Sequence, residues 1–195
     1  MKYIPGVLLL ISTPLWAAVT TNTNVLTISA EVVSGSCNIS ASDVDLGDLE
    51  ASAFASGGAW ANLSATAVGN VATKSLKISA RCDSGSVAKT LVLSFKPQKA
   101  QLNGNQIFPN EYIGPTGQVT ASTAADNVGV VVFSSANINV LNSDNTSAVN
   151  FTNYIGSATT DTDYTFKVRY QRVNAAKPVT PGGVLSQVQI SVSYK

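Results

Sequence analysis

Four carboxylates crowd one short span of this chain: Asp43, Asp45, Asp48 and Glu50. Paired carboxylates can hydrolyse glycosides, and clustered ones can hold calcium. The spacing supports neither chemistry. Asp43 and Asp45 alternate with Val44 and Leu46, which places them on the wet face or edge of a strand, and the oxygens do not fall at the intervals of a calcium loop. Asp161 and Asp163 read as turn acids ahead of a strand at Tyr164. The chain contains no histidine. That removes the Ser–His and Cys–His nucleophile pairs, the HExxH zinc helix and an imidazole base. Gly57-Gly58 and Gly114-Pro-Thr-Gly117 match no phosphate-binding loop. A two-carboxylate glycosidase needs no histidine, but nothing nominates a pair. The residues therefore read as those of a non-enzyme, with no catalytic residue, metal or cofactor expected.

The first 18 residues differ in kind from the rest. Met1-Lys2 supplies positive charge, Ile4 to Ile11 is a short apolar run broken by Pro5-Gly6, and Leu15-Trp16-Ala17-Ala18 follows. This pattern is that of a secretory signal peptide cleaved after Ala17 or Ala18. No later stretch is long and apolar enough to be a transmembrane helix. Export gives the two cysteines, Cys37 and Cys82, their meaning. In an oxidising compartment such a pair reads as a disulfide, because a zinc site would need two further soft ligands and no CxxC is present. Closing so long a loop stabilises by about 4 kcal/mol in the chain-entropy picture.

The elements that must position these residues are strands. Charged residues are only 12% of the 195, with 12 basic against 11 acidic and neither sign clustered, so no nucleic-acid or membrane-anchoring patch is present. Strand patterns run over Val25–Val33, Val71–Cys82, Thr90–Phe95, Val128–Phe133 and Tyr164–Val173. Leu76, Ile78, Ala80 and Cys82 share one face. Tyr164, Phe166, Val168 and Tyr170 share another, opposite Thr165, Lys167 and Arg169. The chain closes on Val188, Ile190, Val192 and Tyr194 alternating with Gln189, Ser191 and Ser193, a strand with one greasy and one wet face. Turn clusters at Ala55–Gly58, Asn103–Asn105, Asn142–Asn145 and Pro181–Gly183 separate the runs. Together they predict a single all-β domain, an antiparallel sandwich with Greek-key connections. Trp60, between the cysteines, suggests an antibody-type domain. Ala80, however, stands where the tyrosine two residues before the second cysteine belongs, and Trp60 lies in a loop-like run.

These features, taken in order, carry a resemblance. Glu31-Val-Val-Ser-Gly-Ser-Cys37 opens the fold and Cys82 closes a strand. Asn127-Val-Gly-Val-Val-Val-Phe133 and Phe166-Lys-Val-Arg-Tyr170 follow, with Gly182 fourteenth from the end and Tyr194 second from it. The chain resembles the chaperone–usher pilins, close in pattern to type 1 fimbrial subunits. The resemblance implies an incomplete immunoglobulin-like Greek-key sandwich whose missing strand is supplied by donor-strand complementation, a form of strand addition.

On that resemblance the chain divides into a signal peptide (1–18), an N-terminal donor-strand extension (19–30) and a pilin domain (31–195). Val19 to Asn24 is polar, Thr/Asn-rich and expected to lack fixed structure when free. Asn24, Leu26, Ile28 and Ala30 form the inserting face of the donor strand. Gly182, Val188, Ile190, Val192, Tyr194 and Lys195 form the strand that a chaperone binds, with the terminal carboxylate held in the chaperone's cleft. The implied partners are a periplasmic chaperone, an outer-membrane usher and neighbouring subunits in a head-to-tail polymer at the cell surface. Two other classes are carried alongside: a single-domain receptor-binding adhesin, with Trp60 and the loops near Tyr112 and Tyr154 as ligand contacts, and an unrelated exported β-sandwich.

Overall fold

The computed structural model describes residues 25–32, 37–55, 58, 60–61, 63–82, 88–113, 124–157 and 159–195. The expected signal peptide, and Val19 to Asn24 of the expected extension, lie outside these residues. Among the described residues ten strands run β1 (Val25–Val32), β2 (Cys37–Ala41), β3 (Val44–Asp45), β4 (Lys74–Cys82), β5 (Lys89–Pro97), β6 (Phe108–Pro109), β7 (Val128–Phe133), β8 (Val149–Tyr154), β9 (Thr162–Arg172) and β10 (Leu185–Tyr194). They form two five-stranded sheets, ordered β3-β1-β10-β5-β8 and β2-β4-β9-β7-β6. The architecture is an all-β immunoglobulin-like sandwich. Among the described residues no helix is long and apolar enough to cross a membrane.

Alternation builds the core. Leu76, Ile78, Ala80 and Cys82 of β4 are buried, as are Phe166, Val168 and Tyr170 of β9, and Leu91, Leu93 and Phe95 of β5 face them from the other sheet. Phe95 meets Phe166 edge-on across the sandwich, with ring centres 5.2 Å apart. Cys37 and Cys82 stand directly opposite in the β2–β4 ladder and are joined by a disulfide. Beside it, the buried Tyr154 hydroxyl on β8 accepts the Cys82 amide (2.8 Å), tying one sheet to the other.

Two expectations change here. Asp163 is not a turn acid, because β9 starts one residue earlier, at Thr162. Its carboxylate accepts from Ser79 Oγ (2.6 Å) and pairs with Lys77 (2.8 Å) on the neighbouring strand. Lys77 first, then Ser79, hold that carboxyl below its ordinary pKa. Arg169 is not on a wet face. It is 1% exposed, and Gln171 is buried beside it.

The cause is a strap formed by residues 63–68 across the outer face of β7 and β9. Arg169 donates to the carbonyls of Ser64, Ala67, Val68 and Tyr170 and to the Gln171 side chain. Gln171 in turn donates to Leu63 O. Ile107, Val131 and Phe133 form a second apolar cluster with Ala65 and Val68 under the same strap. Strand β7 is therefore buried on both faces, which explains its unbroken apolar run. Burial lowers the Arg169 pKa to about 10, so the guanidinium stays charged at neutral pH.

Replacing Arg169 by Leu strands these carbonyls and is expected to cost about 3 kcal/mol. A urea midpoint equal to that of the unaltered protein would contradict the strap's role. Replacing both cysteines by serine is expected to cost about 2–5 kcal/mol, read from the same measurement. Two free thiols in the assembled protein, found by mass spectrometry, would refute the linkage there.

Candidate functional site

The inner face of β10 is apolar because its sequence alternates. Val188 is 1% exposed, and Ile190 and Val192 are fully buried. Tyr194 is half-buried against the same core, with the Lys89 ammonium 4.3 Å from its ring centre. Lys195 is exposed and exchanges two backbone hydrogen bonds with Thr90 (2.9 and 3.0 Å). Along one edge β10 pairs antiparallel with β5, from Val188 opposite Pro97 to Tyr194 opposite Leu91.

The other edge is occupied by β1. It runs parallel to β10 over eight residues, from Val25 beside Leu185 to Val32 beside Val192. Leu26 is fully buried, and Ile28 is half-buried against the core. The Ala30 backbone sits beside Ile190, and Asn24 lies outside the described residues. Leu26 and Ile28 thus lie on the inner face, as their alternation predicts. The division at residue 30 does not coincide with a break in structure, because β1 runs through it as one strand on the chain's own β10. The physical reason is the edge: an unpaired row of backbone groups above Val188, Ile190 and Val192 is covered by a strand of matching alternation.

Gly182 lies outside β10, three residues ahead of it. Its φ of +156°, and a Cβ that would fall 2.4 Å from the Ala124 carbonyl carbon and the Ala125 nitrogen, leave room only for glycine. Gly183 is packed as tightly beneath the Tyr112 ring. Asn110 completes this junction. Its amide donates to Ala125 O (2.8 Å) and Gly183 O (3.0 Å), and its oxygen accepts the Leu185 amide (2.9 Å). Nothing in Phe108-Pro-Asn110 marks that role in the sequence, since all three contacts are long-range.

A cavity of about 400 Å³ opens at this end of β10, lined by Tyr170, Phe54, Val184 and Gly182 with Asp48 and Glu50 among its polar groups. The Tyr170 hydroxyl donates to Gly47 O (2.6 Å). Burial, then the nearby Asp45 and Asp48 charges, raise its pKa and keep it neutral. The acidic group itself binds backbone amides: Asp45 accepts that of Gly47 (2.8 Å), and Asp43 that of the distant Ile28 (3.0 Å).

The site thus unites a C-terminal strand with an apolar inner face, a fixed glycine before it and an N-terminal strand on its edge. The sequence matches the Fimbrial protein family over residues 26–195, a span containing nearly all of β1 and the whole of β10. The chain belongs to the fimbrial protein family. A search among curated proteins finds no match. Membership makes the chain a fimbrial subunit that assembles with other pilins at the cell surface. The aromatics named as possible ligand contacts have packing partners in this fimbrial subunit. Trp60 lies against Phe54 with ring centres 6.1 Å apart, Tyr112 covers Gly183, and Tyr154 is buried at Cys82.

Gly182→Ala is expected to cost about 1–3 kcal/mol through backbone strain and to disturb the start of β10. Unchanged thermal stability and unchanged Leu185 amide protection would contradict the junction described.

Proposed function

We propose that this fimbrial subunit is assembled by the chaperone–usher route and polymerises by donor-strand exchange, β10 being the acceptor edge and residues 19–30 the donor. The observation that carries the proposal is the pairing of β1 with β10. One chain holds both an edge that needs a strand and a strand whose alternation fits such an edge. An edge that accepts Leu26 and Ile28 from its own chain offers the same chemistry to those residues from a neighbour. Each subunit then has one acceptor and one donor, so the contact is head-to-tail and grows a filament.

In this reading the N-terminal segment leaves its own β10 during assembly. A periplasmic chaperone holds the vacated edge by strand addition, with Tyr194 and the Lys195 carboxylate seated in its cleft, and the outer-membrane usher passes the subunit to the fibre. The packed positions of Trp60, Tyr112 and Tyr154 favour a structural subunit over a single-domain adhesin.

Deleting residues 19–29 is expected to leave chaperone co-purification intact and to block insertion into the next subunit. Leu26→Asp is expected to do nearly as much, since burying a leucine stabilises by about 1.5–3 kcal/mol. Ile28→Asp should be less severe and Thr27→Ser mild. Truncated subunits found inside fibres, with neighbours on both sides, would overturn the donor assignment. Tyr194→Ala is expected to abolish the chaperone complex, and normal co-purification of that variant would contradict the acceptor assignment.

A further inference from the structure

Strand β1 is gripped unevenly. Its β10 side is paired along all eight residues, whereas among the described residues its other side pairs in a ladder only with β3, which is two residues long. The register there is Val25 opposite Asp45 and Leu26 opposite Val44. Continuing it would set Ile28 opposite Ser42. At Ser42 and Asp43, however, the chain is crossing from β2 in one sheet to β3 in the other and forms no ladder.

Amide groups alternate sides along a strand. The Val25 amide points to β10, donating to Val184 O (3.2 Å), so those of Leu26 and Ile28 point toward β3. The Ile28 amide would therefore meet an open edge. Instead it donates to the Asp43 carboxylate, Oδ1 lying 3.0 Å away. A corner side chain thus replaces the strand residue that the crossover removes, one step beyond the end of β3. Being charged, it makes a stronger acceptor than a backbone carbonyl.

We propose that Asp43 is a positioning residue for strand exchange, a latch on the Ile28 amide that sets how readily β1 leaves β10. The inference rests on the proposed donor-strand function. Asp43 binds β1 on the side facing β3, away from β10, so its loss frees the occupant without altering the acceptor. It also gives the acidic group at 43–50 a role that neither catalysis nor metal binding supplies.

The test uses the purified subunit and a fluorescein-labelled synthetic peptide of residues 19–32, whose capture reports an open β10 edge. Asp43→Ala is expected to capture the peptide about tenfold faster than the unaltered subunit, the loss of one charged hydrogen bond. Asp43→Asn keeps an oxygen acceptor and should restore most of the slower rate. Amide exchange gives an independent readout. The Ile28 amide should lose protection in Asp43→Ala, while the Cys82 amide, bonded to Tyr154 in the core, should not. Equal capture rates for the unaltered and Asp43→Ala subunits, or an equally protected Ile28 amide, would overturn the latch. If no form captures peptide, the donor-strand reading itself fails, and the Ile28 amide alone decides whether Asp43 holds β1.

Discussion

The structure depends on covering one edge of one strand. Strand β10 carries Val188, Ile190 and Val192 into the core, so its outer edge borders that core. Left unpaired, it would expose both backbone hydrogen-bonding groups and the side chains beneath them, a template for uncontrolled association. In this chain β1 fills the position and contributes Leu26 to the core. The same need that draws β1 to β10 would draw a strand from a chaperone or a neighbour, because strand addition asks only for alternation and a free backbone. On the proposed donor-strand route, fold completion and assembly draw on one physical demand.

Several features prepare that edge rather than form it. The Cys37–Cys82 disulfide and the Tyr154 hydroxyl fix β2, β4 and β8 together. The junction of Asn110, Gly182 and Gly183 sets where β10 begins, holding the backbone too closely for any larger residue. On the far sheet, Arg169 ties the strap of residues 63–68 over β7 and β9. These are bonds among carbonyls, amides and one buried cation, made between segments distant in sequence.

That distinction explains what could be read from the sequence. Strands whose faces differ sharply were legible: Leu76 to Cys82, Phe166 to Tyr170 and Val188 to Tyr194 occupy the strands and faces their alternation implies. The disulfide followed from there being only two cysteines in a chain whose start reads as an export signal. The short strands β2, β6 and β8 were not singled out, since two to six residues hold too few alternations to separate from loops. Arg169 was misplaced because its period-two position is polar in type, and only the distant strap makes it a core residue. Asn110 and Asp43 were opaque for the same reason, each acting on backbone far along the chain. The pattern of Leu26 and Ile28 disclosed that β1 has one apolar face. It could not disclose that the edge β1 covers in this structure is its own chain's.

Whether β1 changes partners is measured most directly by crosslinking between two isotopically distinguished populations of the subunit. A photo-reactive residue placed at Ser29, on the outer face of β1, lies beside Gln189 of β10. In isolated subunits the products should join β1 to β10 within one chain. In fibres grown from the mixed populations they should join the light donor segment to heavy β10 and the reverse. Fibres that yield only links within a single chain would contradict the account, since β1 would then be a fixed strand of the fold and assembly would use another surface.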